Sequence, residues 1–170
     1  SKEFDTYKSI RVGDNGEGIK HEELSINFRK FLESNKATFA SSKIDLVQGK
    51  NGYGRFTFHK FARFAKWHTT YITHDGKTAT YDIKISSDNL KDYLGSEPKN
   101  NNSKVGTYVE FTEINQEIGS NFIEQKLIPY LRAEFAWFLA LKENSKIMIN
   151  GVELDYTSLI ADMESFPQEI

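Results

Sequence analysis

The sequence contains no cysteine. This absence excludes disulfide bonds, a thiolate zinc site and thiol catalysis from the segment, and it fits a reducing compartment. Long apolar runs are also missing, since no stretch approaches the roughly twenty residues that a membrane-spanning helix requires. No signal-peptide pattern opens the chain. From these absences we expect a cytoplasmic protein that does not interact with a membrane.

A strong excess of one charge is absent too. The formal net charge is -2 over 170 residues, so no global basic field favours nucleic acid or an anionic membrane surface as a partner. With 38% hydrophobic and 14% aromatic residues, the chain can bury one sizeable core. We therefore predict a single domain over residues 1–170.

The histidines show no pattern of a metal or nucleophile site. They stand singly on different predicted elements, without metal-ligand spacing, at His21, His59, His68 and His74. Ordinary structural roles are therefore expected. Aromatic residues between positions 56 and 67 could stack on nucleic-acid bases, but they lack an interleaved basic face. We interpret them as core residues.

An acidic residue followed by two glycines comes directly after a short strand predicted at residues 10–12. The segment reads Asp14-Asn15-Gly16-Glu17-Gly18-Ile19. A carboxylate at a strand end can accept a hydrogen bond from an adenine amine, and the glycines let the backbone approach a flat base. Asp14 could instead be a simple turn residue. A calcium loop is excluded because Gly16 and Gly18 stand where an EF-hand needs oxygen ligands.

A second glycine cluster follows a polar, loop-like segment. It reads Gly49-Lys50-Asn51-Gly52-Tyr53-Gly54-Arg55-Phe56. Apolar residues over 56–65 recur at helical spacing and predict a helix, whose first-turn amides and dipole would favour a phosphate at the glycine loop. A Walker-type loop is excluded because no Gly-Lys-Ser/Thr ends the motif. Lys50 and Arg55 could bind phosphate directly or pair with carboxylates of a lid.

The order and spacing of these clusters resemble the GHKL ATPase superfamily, which includes DNA gyrase B, the large heat-shock chaperone, histidine kinases and MutL. Its D-x-G-x-G box matches Asp14, Gly16 and Gly18, and its G-x-x-G-x-G box matches Gly49, Gly52 and Gly54. A third match is Gly106-Thr107 followed by a strand at residues 108–111. The resemblance implies the Bergerat fold: an α/β (α+β) two-layer sandwich with a mixed, largely antiparallel sheet.

The superfamily branch stays open among MORC-like, MutL-like and chaperone-like members. Ser41-Ser42-Lys43 resembles the Ser/Thr-Ser-Lys stretch that precedes the glycine loop in those branches. Lys43 would have a lid or phosphate role there, or it is a solvated lysine. A histidine kinase is disfavoured because no Gly-Leu-Gly-Leu ending follows Gly54.

The same resemblance assigns the residues of an ATP or ADP site. Asp14 would accept the adenine amine, and the base site would be completed by Gly16, Gly18, Ile19 and Thr107. The phosphates would be held by Gly49, Lys50, Gly52, Tyr53, Gly54, Arg55 and Phe56. Residues 20–48 would form the lid, with Ser41, Ser42 and Lys43 in it.

The resemblance also implies a nucleotide-driven conformational clamp or switch that forms a homodimer in the parent protein. Family members carry, upstream of the first strand, a helix with a Glu that activates water and an Asn that holds Mg²⁺. Residues 1–9 are too short for it, so we interpret the sequence as a fragment that does not hydrolyse ATP by itself, and we expect Mg²⁺ only in the full-length parent. The alternative is a non-catalytic, ATPase-like interaction scaffold; nucleic acid would enter only through the parent protein.

Hydrophobic periodicity and turn residues predict the remaining elements. These are a helix from His21 with Leu24, Phe28, Phe31 and Leu32 on its apolar face, a hairpin of residues 69–73 and 78–85, a polar surface excursion over 86–104, a helix over 122–142 broken near Pro129, and a tight hairpin at Asn150-Gly151.

Overall fold

The computed structural model describes residues 6–29, 54–142 and 144–160. The chain divides into two compact units, one of Tyr7–Glu117 and one of Ser1–Thr6 with Ile118–Ile170. The single domain over residues 1–170 stays a prediction.

The larger unit is built on a six-stranded sheet. Its strands are β1 Ser9–Asp14, β2 Ala62–Ile72, β3 Thr78–Ser86, β4 Asn89–Gly95, β5 Lys99–Asn101 and β6 Gly106–Ile114. They run in the order β1-β6-β2-β3-β4, β5 also pairs with β3, and every one of these pairings is antiparallel. Together with the helices that cover one face, the sheet confirms the predicted α+β class.

Strand β2 corrects the helix predicted over residues 56–65. A 3₁₀ helix spans Gly54–Lys60, and the chain is then extended from Ala62 to Ile72. Apolar residues are so dense here that the sequence fits both the 3.6-residue period of a helix and the two-residue period of a strand. Pairing of β2 with β3 on one side and β6 on the other decides between them, because a central strand satisfies its backbone groups on both edges.

The predicted hairpin is confirmed as β2 and β3. Between them, the Thr73 N–H donates to the Lys77 carbonyl at 2.8 Å, and the Gly76 N–H donates to the Thr73 carbonyl at 2.9 Å. The predicted surface excursion over 86–104 is wrong, because this segment contributes β4 and β5 to the sheet. Both strands are mostly exposed and polar, so they lack the apolar alternation that marks a strand in a sequence.

Short helices cover one face of the sheet. A 3₁₀ turn at His21–Glu23 leads into α1, Leu24–Arg29, whose Leu24 and Phe28 are buried as predicted. Phe28 packs edge-to-face on Trp67 of β2 with ring centroids 5.4 Å apart, and Phe58 does so at 6.2 Å. These aromatic contacts hold the two layers together. The predicted apolar positions Phe31 and Leu32 lie outside the described residues.

Phe64 differs from the other aromatic residues predicted as core. Phe56, Phe58 and Trp67 are buried, and Phe61 packs against the core. Phe64 is 38% exposed, because it lies on the opposite face of β2 from Trp67. The core interpretation therefore holds for four of these five residues.

The second unit contains one long helical segment and a hairpin. Helix α2, Ser120–Phe122, continues through a π-helical turn at Ile123–Leu127 into α3, Ile128–Leu141. The turn ends two residues before Pro129, which has no N–H to donate and lies in the first turn of α3. Strands β7, Met148–Ile149, and β8, Val152–Glu153, form the predicted Asn-Gly hairpin. None of the helices within the described ranges has the length and hydropathy needed to cross a membrane.

Candidate functional site

The site begins with Asp14, the last residue of β1. Its Oδ1 accepts the Gly16 N–H at 2.8 Å, which turns the chain sharply at the strand end. The side chain is exposed. A carboxylate can accept about four hydrogen bonds. Asp14 therefore shapes its own loop and keeps acceptor capacity for a ligand.

Gly18 brings that loop against the backbone of β2. Its φ is +74°, and a Cβ added there would lie 2.1 Å from the Thr70 carbonyl oxygen. Only a glycine accommodates both this left-handed conformation and this close approach. The D-x-G-x-G pattern thus has a structural reason at its last glycine.

Ile19 fastens the far end of the loop. Its N–H donates to Thr69 Oγ1 at 2.8 Å, and its side chain packs against the hydrophobic core. The loop is therefore held at both ends, by the Asp14 carboxylate at residue 16 and by a β2 hydroxyl at residue 19. Because both ends are already held, ordering this loop when a ligand binds costs less conformational entropy.

A row of three polar side chains crosses the sheet beside this loop. Asp14 lies opposite Thr107 in the β1–β6 pairing, and Thr107 lies opposite Thr69 in the β6–β2 pairing. Residues directly opposite on neighbouring strands project from the same face. The hydroxyls of Thr69 and Thr107 are 2.8 Å apart. The structure thus places Thr107 opposite Asp14 and beside the glycine loop.

Thr69 is the residue of this row that the sequence reasoning missed. It is 0% exposed and lies between Trp67 and Tyr71, which are core residues on the same face of β2. The sequence signal for Thr69 was its position between Trp67 and Tyr71 in the alternating pattern of buried residues along a strand. It could be read only if residues 62–72 were recognised as that strand, whereas its first residues were predicted as a helix.

Gly106, directly before Thr107, permits β6 to close against the end of β1. A Cβ there would lie 2.5 Å from the Asp14 carbonyl oxygen. Any side chain at this position would push the two strands apart and move Thr107 away from Asp14. Gly106 therefore permits the close strand approach that places Thr107 opposite Asp14.

The predicted phosphate and lid residues fall mostly outside the described residues. These are Ser41, Ser42, Lys43, Gly49, Lys50, Gly52 and Tyr53. Gly54 and Arg55 begin the 3₁₀ helix that precedes β2, and the Phe56 side chain is 3% exposed in the core. A phosphate contact of Phe56 would therefore come from its main-chain amide. All these assignments stay predictions.

A separate polar cluster lies on the opposite face of the sheet. Asp82 of β3 accepts from Lys66 Nζ at 2.7 Å and is 2.7 Å from His68 Nδ1. Partial burial would raise the pKa of Asp82, but these two hydrogen bonds outweigh it and lower the pKa. His68 is next to Thr69 along β2, so it projects away from the row. This cluster is not part of the site.

No metal centre can be assigned within the described ranges. They contain no group of three or more His, Asp or Glu side chains arranged to hold an ion. No residue of those ranges is therefore assigned as a metal ligand, and no chemical step is assigned to a metal.

Comparison with known proteins gives a family match over most of the chain. Residues 2–118 match the model described as histidine kinase-, DNA gyrase B-, and HSP90-like ATPase. Among solved structures, the chain is similar to the Aquifex aeolicus MutL ATPase domain complexed with ADP, at 16% identity and a TM-score of 0.43. That similarity covers 77% of this chain and 44% of the other, so the chain spans less than half of that structure. The search of curated proteins returned no significant match.

Proposed function

Because the chain belongs to the family of histidine kinase-, DNA gyrase B- and HSP90-like ATPases, we propose that it binds ATP and ADP at the site that begins with Asp14. One observation carries the proposal: an exposed carboxylate with spare acceptor capacity lies in a row with two hydroxyls and beside a loop that glycine holds against β2. A row of this kind presents hydrogen-bonding groups to the edge of a base.

The roles follow from the hydrogen-bonding capacity of each group. The Asp14 carboxylate only accepts, so it pairs with the exocyclic amine of adenine. The Thr107 hydroxyl can donate to a ring nitrogen of the same base. Gly18 holds the loop against the Thr70 backbone of β2 and so keeps it beside Asp14 and Thr107. The glycine segment 49–54 would hold the phosphates with main-chain amides.

At the level of the whole protein, we propose a nucleotide-driven clamp or switch that acts as a homodimer. Nucleotide in the site would bias the lid, residues 20–48, toward a closed conformation by contacts made only in that state. Hydrolysis would then reset the clamp. Family membership supports this proposal, and the cytoplasm remains the predicted location.

Calorimetric titration with ADP and a non-hydrolysable ATP analogue tests the site. The variant Asp14→Asn keeps an oxygen that can accept the Gly16 N–H but loses the negative charge. A hydrogen bond to a charged group contributes about 1.5–3 kcal/mol, so the variant should bind ADP at least about tenfold more weakly. Asp88→Asn is the matched control, since Asp88 is an exposed aspartate bonded to Arg63 and lies outside the row.

Two results would contradict the proposal. The first is the absence of ADP and analogue binding by the unmodified chain, which would favour the non-catalytic scaffold. The second is equal ADP affinity of the unmodified chain and Asp14→Asn, which would place the base elsewhere. A loss of affinity in Asp88→Asn as large as in Asp14→Asn would show a general effect of removing a negative charge.

A further inference from the structure

The buried hydroxyl of Thr69 needs an acceptor for its proton, and its two contacts determine which atom that acceptor is. Its oxygen accepts the Ile19 N–H, and its second contact is Thr107 Oγ1. A hydroxyl has one proton to donate, and a buried donor left unpaired is costly. Within the described residues, Thr107 Oγ1 is the acceptor that lies in reach of Thr69. Thr69 therefore donates to Thr107, although the distance alone would allow either direction.

This direction determines what Thr107 can do. If Thr107 accepts from Thr69, its own proton does not point toward Thr69. Thr107 is partly exposed and lies opposite Asp14 in the strand pairing, so this proton is available on the site side of the row. The site then offers an acceptor at Asp14 beside a donor at Thr107.

We propose that Thr69 is a positioning residue that fixes the Thr107 hydroxyl as a donor toward the bound base, and that Thr69 thereby contributes to the discrimination between a 6-amino and a 6-oxo purine. Adenine presents an amine donor next to a ring-nitrogen acceptor, which complements this pair. A 6-oxo purine presents an oxygen acceptor next to an N–H donor, so it meets acceptor with acceptor and donor with donor. The inference rests on the proposed nucleotide site.

The experiment measures the affinities of ADP and inosine diphosphate, which differ at this edge of the base. The unmodified chain should prefer ADP. In Thr69→Val, which keeps the side-chain shape and removes the hydroxyl, the Thr107 hydroxyl becomes free to turn around and accept. The Ile19 N–H also loses its acceptor, but this loss affects the two nucleotides alike and cancels in the ratio of their affinities. The ratio of the two affinities should then fall about fivefold or more, as expected for one hydrogen bond.

Two control variants separate positioning from general stability. Thr69→Ser restores a hydroxyl and should restore the ratio. Thr70→Val removes the neighbouring buried hydroxyl, which bonds to Thr80 Oγ1 at 2.7 Å and is 4% exposed. It should leave the ratio unchanged. If Thr69→Val does not fold, as judged by loss of its thermal transition, Thr69→Cys replaces it, because a thiol is a weak donor of similar size.

The outcomes are distinct. If Thr69→Val weakens ADP and inosine diphosphate by the same factor, or leaves both unchanged, Thr69 has no role in selectivity and the inference is wrong while the site stands. If the unmodified chain binds neither nucleotide, the proposed function fails and the inference fails with it. A selective loss in Thr69→Val that Thr69→Ser reverses supports the inference.

Discussion

Gly18 shows at the residue scale how backbone geometry and not side-chain chemistry sets part of this site. Asp14 is recognisable in the sequence by its chemistry, whereas Gly18 acts through what it lacks. It has a left-handed φ and lies against the Thr70 carbonyl, and these are two separate costs for any other residue. Measuring the conformational cost and the cost of the close contact separately tests how tightly the loop is packed on β2.

Gly18→Ala should destabilise the larger unit far more than Gly76→Ala. Both glycines have nearly the same conformation, with φ of +74° and +77°, but a Cβ at Gly76 meets nothing within 4 Å. Gly76→Ala therefore reports the conformational cost alone, about 1–2 kcal/mol. Gly18→Ala adds the clash with the Thr70 carbonyl oxygen and should cost at least about twice as much. Urea denaturation of both variants measures the difference, and equal losses would contradict the close packing.

At the scale of elements, local chemistry determines the turns, and pairing between distant residues determines where strand β2 begins. The β2–β3 turn and the Asn150-Gly151 hairpin were predicted because turn residues act on their own backbone. At the second hairpin, Asn150 has a φ of 51° and Gly151 a φ of 80°, as in a type I′ turn. The extended conformation of residues 62–65 could not be predicted in this way. It depends on partners in β3 and β6, which are distant in sequence.

The β2–β3 turn carries a pH-dependent contribution to stability. Hydrogen bonds from Thr73 and then from Lys77 lower the pKa of Asp75 to about 2. Because the folded value lies below the unfolded one, near 3.9, the contribution is present above about pH 4 and is lost as the pH falls toward 2. Titration of the Asp75 carboxyl by NMR should therefore give a midpoint near 2.

Thr73→Val provides the control for that titration. It removes the first of the two hydrogen bonds and should move the Asp75 midpoint upward, toward the unfolded value. A midpoint near 3.9 in the unmodified chain would show that the turn contacts do not persist in solution. An unchanged midpoint in Thr73→Val would show that Lys77, and not Thr73, lowers the pKa of Asp75.

At the scale of the whole molecule, all described residues of the proposed site belong to one compact unit. Asp14, Gly18, Ile19, Thr69 and Thr107 lie within Tyr7–Glu117. A ligand at 100 times its Kd stabilises the state that binds it by about 2.7 kcal/mol. ADP should therefore slow amide exchange chiefly in this unit.

Hydrogen exchange with and without ADP measures this effect. Protection is expected at residues 14–19 and along β6, with little change in α3 and in the β7–β8 hairpin of the other unit. Asp14→Asn at the same ADP concentration should show much less protection, which controls for nonspecific binding. Protection that concentrates in α3 would contradict the proposed location of the site.

The sequence by itself determined the family and the fold class, and it supplied the polar residues of the proposed site. Asp14, Gly18 and Thr107 carry recognisable chemistry or backbone freedom at fixed spacing, and these properties do not depend on distant partners. Only the tertiary structure decided that β2 already begins at Ala62, that β4 and β5 join the sheet, and that Thr69 lies between Ile19 and Thr107. The reason is physical: strand pairing and a buried hydroxyl acquire their roles from residues that folding brings next to them.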